Sequence, residues 1–289
     1  MSSQRKKRAG QRPRPTSETC VLLVDNGSLE PAATRQLRKI AAALGRRLGR
    51  KVEAVSLLHS NTVSARKLGG RKAEILEEAV WRRLRRGARE FVIVPVFFGR
   101  SRALTEFIPD LVGRWRAQFT EIKVHVAAPL AANGDDRLVR ILENQVRAKL
   151  TRRFLRGQRA RVALVDHGSP VKAVTQVRNR LAIQLRRRLG AAVAGVSACS
   201  MERRPGVAYA FNEPLLENLL AKRPWNDGPV IVAQLFLLPG RHAGPGGDLE
   251  RICRGARKKA RRLRTVRTKL VGEAPELIEI LADRFGAAT

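Results

Sequence analysis

The sequence predicts an α/β protein built from two copies of one parallel-sheet unit, and three observations carry that prediction. The first is an internal repeat: Leu23-Val24-Asp25-Asn26-Gly27-Ser28 returns 141 residues later as Leu164-Val165-Asp166-His167-Gly168-Ser169. The match runs without a gap from 23–49 onto 164–190, with nearly half the positions identical. The second is alternation: short apolar runs bounded by turn residues are followed by stretches with apolar residues three and four apart, the signature of βα units with helices on both faces of a sheet. The third is composition, since 44% hydrophobic residues in a chain of 289 supply one large core or two of ordinary size.

Taken in order, each unit opens on a buried strand (21–24; 162–165) closed by a Gly-Ser turn. A helix follows, with Leu37, Ile40, Ala41, Leu44 and Leu48 on one face, matched by Leu181, Leu185 and Leu189. Gly49 and Gly190 stand where a helix C-terminal glycine belongs. A second strand (51–58; 191–199), a second helix (73–86; 213–222) and a third strand (91–97; 230–237) come next. An Arg-rich helix, a fourth strand (121–127; 265–270) and a closing helix complete four strands per unit. The offset of 141 also carries Val55-Ser56 onto Val196-Ser197 and Gly99-Arg100 onto Gly240-Arg241. These boundaries predict a disordered basic tail over 1–19, an N-terminal domain over 20–152 and a C-terminal domain over 161–289. The Arg-rich stretch at 152–160 forms the break.

Composition excludes several classes. No apolar run approaches the roughly 18 residues of a membrane span, and no apolar stretch follows the basic N-terminus as a secretory signal requires. Cys20, Cys199 and Cys253 lie far apart, against a disulfide framework or a cysteine-built zinc site, so a reducing cytoplasm is expected. Fifty-eight Lys and Arg against twenty-five Asp and Glu give a net charge of +33. That predicts an acidic partner. Aromatic residues make up only 4% and the arginines are spread over nearly every helix. Both features argue against nucleic acid and for solvated helix faces.

Chemistry concentrates in the second copy. His167 follows its first strand and His242 its third, so both imidazoles reach the same sheet edge. There they can accept protons or bind a borderline metal. The first copy has Asn26 and Ser101 in their places. Glu202, after the second strand, is the third candidate, with Asn61 its counterpart at the same offset. Glu213 competes with it, although a plainer reading has Asn212 cap a helix and Glu213 favour its dipole. The loop 240–247 (GRHAGPGG) lacks the GK[ST] ending of a phosphate-binding loop. Its glycines are read as flexibility that lets His242 reach a flat ligand, with Asp248 capping the next helix. Cys199 and Cys253 read as buried apolar residues, and Ser28 and Ser169 as turn and cap hydroxyls.

The HGS turn, the carboxylate after strand two and the stretch LFLLPGRHAGPGGDL together resemble the class II chelatases, most closely the two-module sirohydrochlorin type. The resemblance spans residues 20–286. It implies two tandem flavodoxin-like domains facing each other across a cleft, and metal insertion into an acidic tetrapyrrole without a nucleotide, in sirohaem or cobalamin biosynthesis. His167, His242 and Glu202 would hold the metal and handle the pyrrole protons. Arg241, Arg203, Arg204 and Ser169 would hold the substrate. Co²⁺, Fe²⁺ and Ni²⁺ all suit imidazole and carboxylate, and the ion is substrate rather than resident cofactor. The departures in the first copy (Asn26, Asn61, Ser101) imply one equipped site. The alternatives are a non-catalytic tetrapyrrole or metal carrier and a basic nucleic-acid-associated protein. Duplication supplies both walls of a cleft, so a monomer is expected.

Overall fold

The protein is described here by a computed structural model covering residues 19–289; the tail expected over 1–19 lies, but for its last residue, outside the described residues. The first module runs β1 (Cys20–Asp25), α1 (Pro31–Leu48), β2 (Val52–Ser56), α2 (Leu76–Leu84), β3 (Glu90–Pro95), α3 (Ile108–Gln118), β4 (Lys123–Val126) and α4 (Arg137–Arg147). A short α5 (Arg152–Leu155) links it to the second. That module runs β5 (Arg161–Asp166), α6 (Lys172–Leu189), β6 (Gly195–Ser200), α7 (Leu216–Ala221), β7 (Gly228–Gln234), α8 (Asp248–Lys259), β8 (Leu263–Arg267) and α9 (Leu277–Gly286). Every expected strand and helix exists, most trimmed by one to four residues at its ends.

Both sheets are parallel, with orders β2-β1-β3-β4 and β6-β5-β7-β8. In such a doubly wound sheet the order reverses between the first and third strands, and the crevice beyond their C-terminal ends is where ligands bind. Each central strand is buried on both faces, as its unbroken apolar run requires. Alternate residues feed different cores. Leu22 and Val24 face α2 and α3, whereas Val21 and Leu23 face the interior of the molecule.

That interior is shared. The inward faces of both sheets enclose a single layer formed by α1, α4, α6 and α9, and one continuous apolar core runs through it from Val21 to Phe285. Helix α1 lies against α9, and α4 against α6, so the modules meet about a local two-fold axis. Arginines line the seam. Arg47 of α1 reaches Glu279 at 2.9 Å, its repeat counterpart Arg188 reaches Glu143, and the largely buried Arg284 reaches Asp135 at 2.6 Å. Part of the positive charge read as solvated helix face therefore joins the two halves.

The repeat is not gap-free beyond the first helix, and this corrects the expected equivalences. Gly49 ends α1 in the left-handed conformation, and β2 begins three residues later. Gly190 instead opens a 3₁₀ turn over Gly190–Ala192 that delays β6 by three residues. Asp25 pairs with Ser56, and Asp166 with Ser200. Ser56 thus matches Ser200 rather than Ser197, and the residue matching Glu202 is Leu58, not Asn61. The matched backbone bonds agree: Leu58 N–H donates to Asn26 O and Glu202 N–H to His167 O, both at 3.2 Å.

Candidate metal centre

The C-terminal ends of β1, β3, β5 and β7 open onto one cleft of about 560 Å³ between the modules. Val96, Phe97 and Phe98 form one wall and Leu235 to Leu238 the other, with Asn26, Ser28 and Ser101 from the first copy facing His167, Ser169, Arg241 and His242 from the second. The cleft is apolar over most of its lining and carries its polar groups on the strand-end loops, the usual make-up of a site for a flat organic ligand.

His167 is placed by the sharp turn after β5. Gly168 has φ +96°, and a Cβ there would stand 2.0 Å from Glu202 O, so only glycine lets the two loops touch. Gly27 repeats this in the first module, at φ +93° against Leu58 O. The close approach brings His167 Nε2 to 3.3 Å from Glu202 Oε1. The hydrogen-bond network assigns the His167 proton to Nδ1, which donates to Gly168 O at 3.1 Å. In the neutral imidazole, Nε2 and the carboxylate oxygen therefore present lone pairs to each other, an arrangement that calls for a proton or a cation between them. Two donors of one ion, bonded at about 2.0–2.2 Å near the tetrahedral angle, stand roughly 3.3–3.5 Å apart.

His242 arrives from the loop 235–247; the equivalent segment of the first module turns helical sooner, through a π-helical turn over Ala103–Phe107 that runs into α3. The loop is packed, not loose. A Cβ on Gly247 would lie 2.6 Å from Arg241 O and 2.7 Å from His242 O, so that glycine serves close backbone approach rather than the flexibility expected of it. The His167 and His242 ring centroids are 4.6 Å apart, edge to face. His242 Nδ1–H donates to Asp248 Oδ2 at 2.6 Å, leaving Nε2 as the free nitrogen. Asp248 is the first residue of α8 and makes no capping bond, correcting the cap expected of it. Burial alone would raise its carboxyl, but the bonds from His242 and Arg251 hold it below the ordinary carboxylate range. A carboxylate so placed fixes the tautomer and steadies the imidazolium.

The remaining candidates divide. Arg241 and Ser169 line the cleft. Arg203 does not; it donates to Glu213 at 2.8 Å and to the carbonyls of Arg204 and Gly206. Arg204 lies over the Tyr209 ring. Glu213 is held by Arg203 and by Leu215 N–H, leaving Glu202 as the carboxylate beside His167. Asn212 caps no helix; it is fully buried beneath the His167 turn. The Ser28 and Ser169 hydroxyls accept from Glu30 N–H and Val171 N–H, as turn hydroxyls do. Burial pushes the Cys199 and Cys253 thiols up, away from the thiolate a metal requires. Among the described residues no group of three or more His, Cys, Asp or Glu side chains stands ready to enclose a metal ion. Nor is any helix there long and apolar enough to cross a membrane.

One feature escaped the sequence altogether. Asp25, at the floor of the cleft, is buried, one of its oxygens lacks a partner, and burial pushes its carboxyl up to about 6. A carboxyl with a raised folded-state pKa contributes stability that is full below about 4 and lost as pH climbs through 6. Its ionisation at pH 8 costs on the order of 3 kcal/mol. Asp25→Asn therefore gains in melting temperature over the parent as pH rises from 4.5 to 8. Calorimetry at the two pH values checks this, and an equal shift at both contradicts it.

Two sheets of order 2-1-3-4 are stacked through a shared helix layer, with strand-end loops facing one cleft. Residues 20–149, the first of the two modules, match the CbiX family model. Among solved structures the fold is similar to that of SirB from Bacillus subtilis with Fe³⁺ (TM-score 0.66, 15% identity, 94% of this chain and 95% of that one). It is similar also to the sirohydrochlorin chelatase SirB from Bacillus subtilis subspecies spizizenii in complex with cobalt (TM-score 0.68, 15% identity, 94% and 95%). A third is CbiX, described as the terminal enzyme for biosynthesis of siroheme in denitrifying bacteria (TM-score 0.61, 19% identity, 93% and 99%). No curated protein sequence matches the chain.

Proposed function

We propose that this protein inserts a divalent metal, Co²⁺ or Fe²⁺, into a sirohydrochlorin-type tetrapyrrole without a nucleotide. The observation that carries the reading is the facing pair of lone-pair donors, His167 Nε2 and Glu202 Oε1, beside the His242 ring at the mouth of an apolar cleft. The relatives named above, one a sirohydrochlorin chelatase with cobalt bound, support it. So does the match of the first module to the CbiX model.

The chemistry balances on these groups. Each M²⁺ that enters the macrocycle displaces two N–H protons. His167 and Glu202 hold the incoming ion through few enough bonds that it can be released, as a cargo metal requires and a closed structural cage would prevent. The free Nε2 of His242 accepts a pyrrole proton, and Asp248 stabilises the imidazolium that forms. Glu202 takes the second proton once its metal has moved into the ring. Phe97, Phe98 and the leucine wall cover the ring's apolar faces, and Arg241 meets its carboxylates.

Insertion followed by absorbance, with Co²⁺, Fe²⁺ and Ni²⁺ in parallel, tests the reading. The expected result is catalytic turnover with at least one of them. Tight tetrapyrrole binding without turnover would instead identify a carrier. Asp248→Asn is expected to slow insertion about 10–100-fold, a loss that persists at saturating Co²⁺. The amide can donate to Nδ1 and move the His242 proton onto Nε2, where it blocks the reactive lone pair. Unchanged turnover in that variant would remove Asp248 from the site.

A further inference from the structure

We propose that Arg178 is the positioning residue of this centre: a buried guanidinium that locks the turn carrying His167 to the segment that ends in Glu202. This rests on the reading of those side chains as metal-handling groups. Arg178 projects from α6 and is 1% exposed. Its Nη1 donates to Asp166 Oδ1 at 3.3 Å, to Asn212 O at 3.2 Å and to Ser200 Oγ. Nε and Nη2 donate to Asn179 Oδ1 at 3.1 and 2.9 Å.

Each partner grips the site. Asp166 Oδ1 accepts from Gly168 N–H at 3.2 Å and from Ser200 Oγ at 2.7 Å. Asn212 accepts from Ser169 N–H and donates back to Ser169 O, both at 3.0 Å, and also accepts from Thr175 Oγ1. Residues 166, 168 and 169 are thereby held on both sides of His167. Ser200, two residues before Glu202, is tied to the same cation. The network thus fixes the backbone on both sides of His167 and the strand end that leads into Glu202.

The duplication supplies an internal control. In the first module the position of Arg178 is occupied by Leu37, equally buried, and β1, α1 and β2 fold the same way. Asp25 keeps the place of Asp166 but has an oxygen without a hydrogen-bond partner. The scaffold therefore does not need the guanidinium. A buried charge is costly to desolvate, and removing one partner of a buried pair leaves the other uncompensated. It is present in the module that carries His167 and His242 and absent from the other.

The test uses the full chain with Arg178→Lys and with the double variant Arg178→Leu/Asp166→Asn, which removes both charges and strands neither. Co²⁺ alone is the first probe, titrated through its ligand-field absorption. Turnover in the insertion assay is the second. The double variant is expected to keep its far-UV spectrum and a cooperative melt, to bind Co²⁺ about 10–100-fold more weakly with an altered ligand-field spectrum, and to lose kcat more than it raises KM. Arg178→Lys is expected to recover part of the affinity. A folded double variant with parental Co²⁺ affinity and spectrum would overturn the proposal. So would collapse of both variants, which would show that the pair holds up the module and not the site. Absence of turnover in the parent protein, with Co²⁺ binding still dependent on Arg178, would fault the chelatase reading and leave this inference standing.

Discussion

With His167 replaced by alanine, metal insertion is expected to fall by roughly 10²–10³-fold in kcat/KM, and His242→Ala by a similar factor, while both variants keep the parental melting temperature within a few degrees. The two losses have different origins. His167 is half of the donor pair with Glu202 at 3.3 Å, so its removal costs metal affinity first and is partly recovered at high Co²⁺. His242 is oriented by Asp248 through Nδ1, so its removal costs the proton acceptor and persists at saturating metal. The rings touch, so the double variant should lose less than the product of the two single losses. Both rings are part-exposed and leave no packed cavity when truncated, hence the small effect on stability. Steady-state insertion rates across a metal series check this. A His242→Ala variant rescued by metal alone would assign both rings to binding and neither to proton transfer.

The second large effect is expected at a residue with no side chain. Gly168→Ala places a methyl group 2.0 Å from Glu202 O at a backbone φ of +96°. The obstacle is main chain on both sides, so no rotamer relieves it, and the loops carrying His167 and Glu202 must part. The destabilisation is expected to be about 2–4 kcal/mol, with loss of Co²⁺ binding beyond what the unfolded fraction explains. The structural counterpart Gly27→Ala meets Leu58 O in the same way and should cost comparable stability. It carries no metal donors, and its folded fraction should bind Co²⁺ as the parent does. Equal loss of Co²⁺ affinity per folded molecule in both variants would mean that the first module also holds metal.

Much of this protein was legible in its residues. The LVD-x-GS motif recurs because two buried parallel strands each end in a turn that only glycine can make, and apolar spacing marked α1 and α6 almost to their ends. Loop histidines at equivalent stations, present in one copy and missing from the other, pointed to the cleft edge where the structure brings His167 and His242 together. The misreadings share a cause. Equating Asn61 with Glu202 assumed that one offset runs the length of the chain, but the 3₁₀ turn at Gly190–Ala192 changes register after the helix, where apolar patterning is silent. Asn212 and Asp248 fit the local pattern of helix caps, whereas their partners in the fold are Ser169 and His242. Arg203 and Arg204 looked free to bind substrate, yet one is tied down by Glu213 and the other lies over Tyr209.

Composition and periodicity by themselves determined the duplication, the α/β class, the succession of strands and helices along the chain and which half bears His167 and His242, since these depend on residues near one another in the chain. Tertiary structure alone decided that α1, α4, α6 and α9 form one shared layer, that Glu202 rather than Glu213 stands beside His167, and that Arg178 is swallowed whole by the second module while Leu37 fills its place in the first. Such facts depend on long-range packing and on the need of every buried charge for a partner. Those partners lie 12 to 34 residues away along the chain, on elements that meet only when the sheet closes.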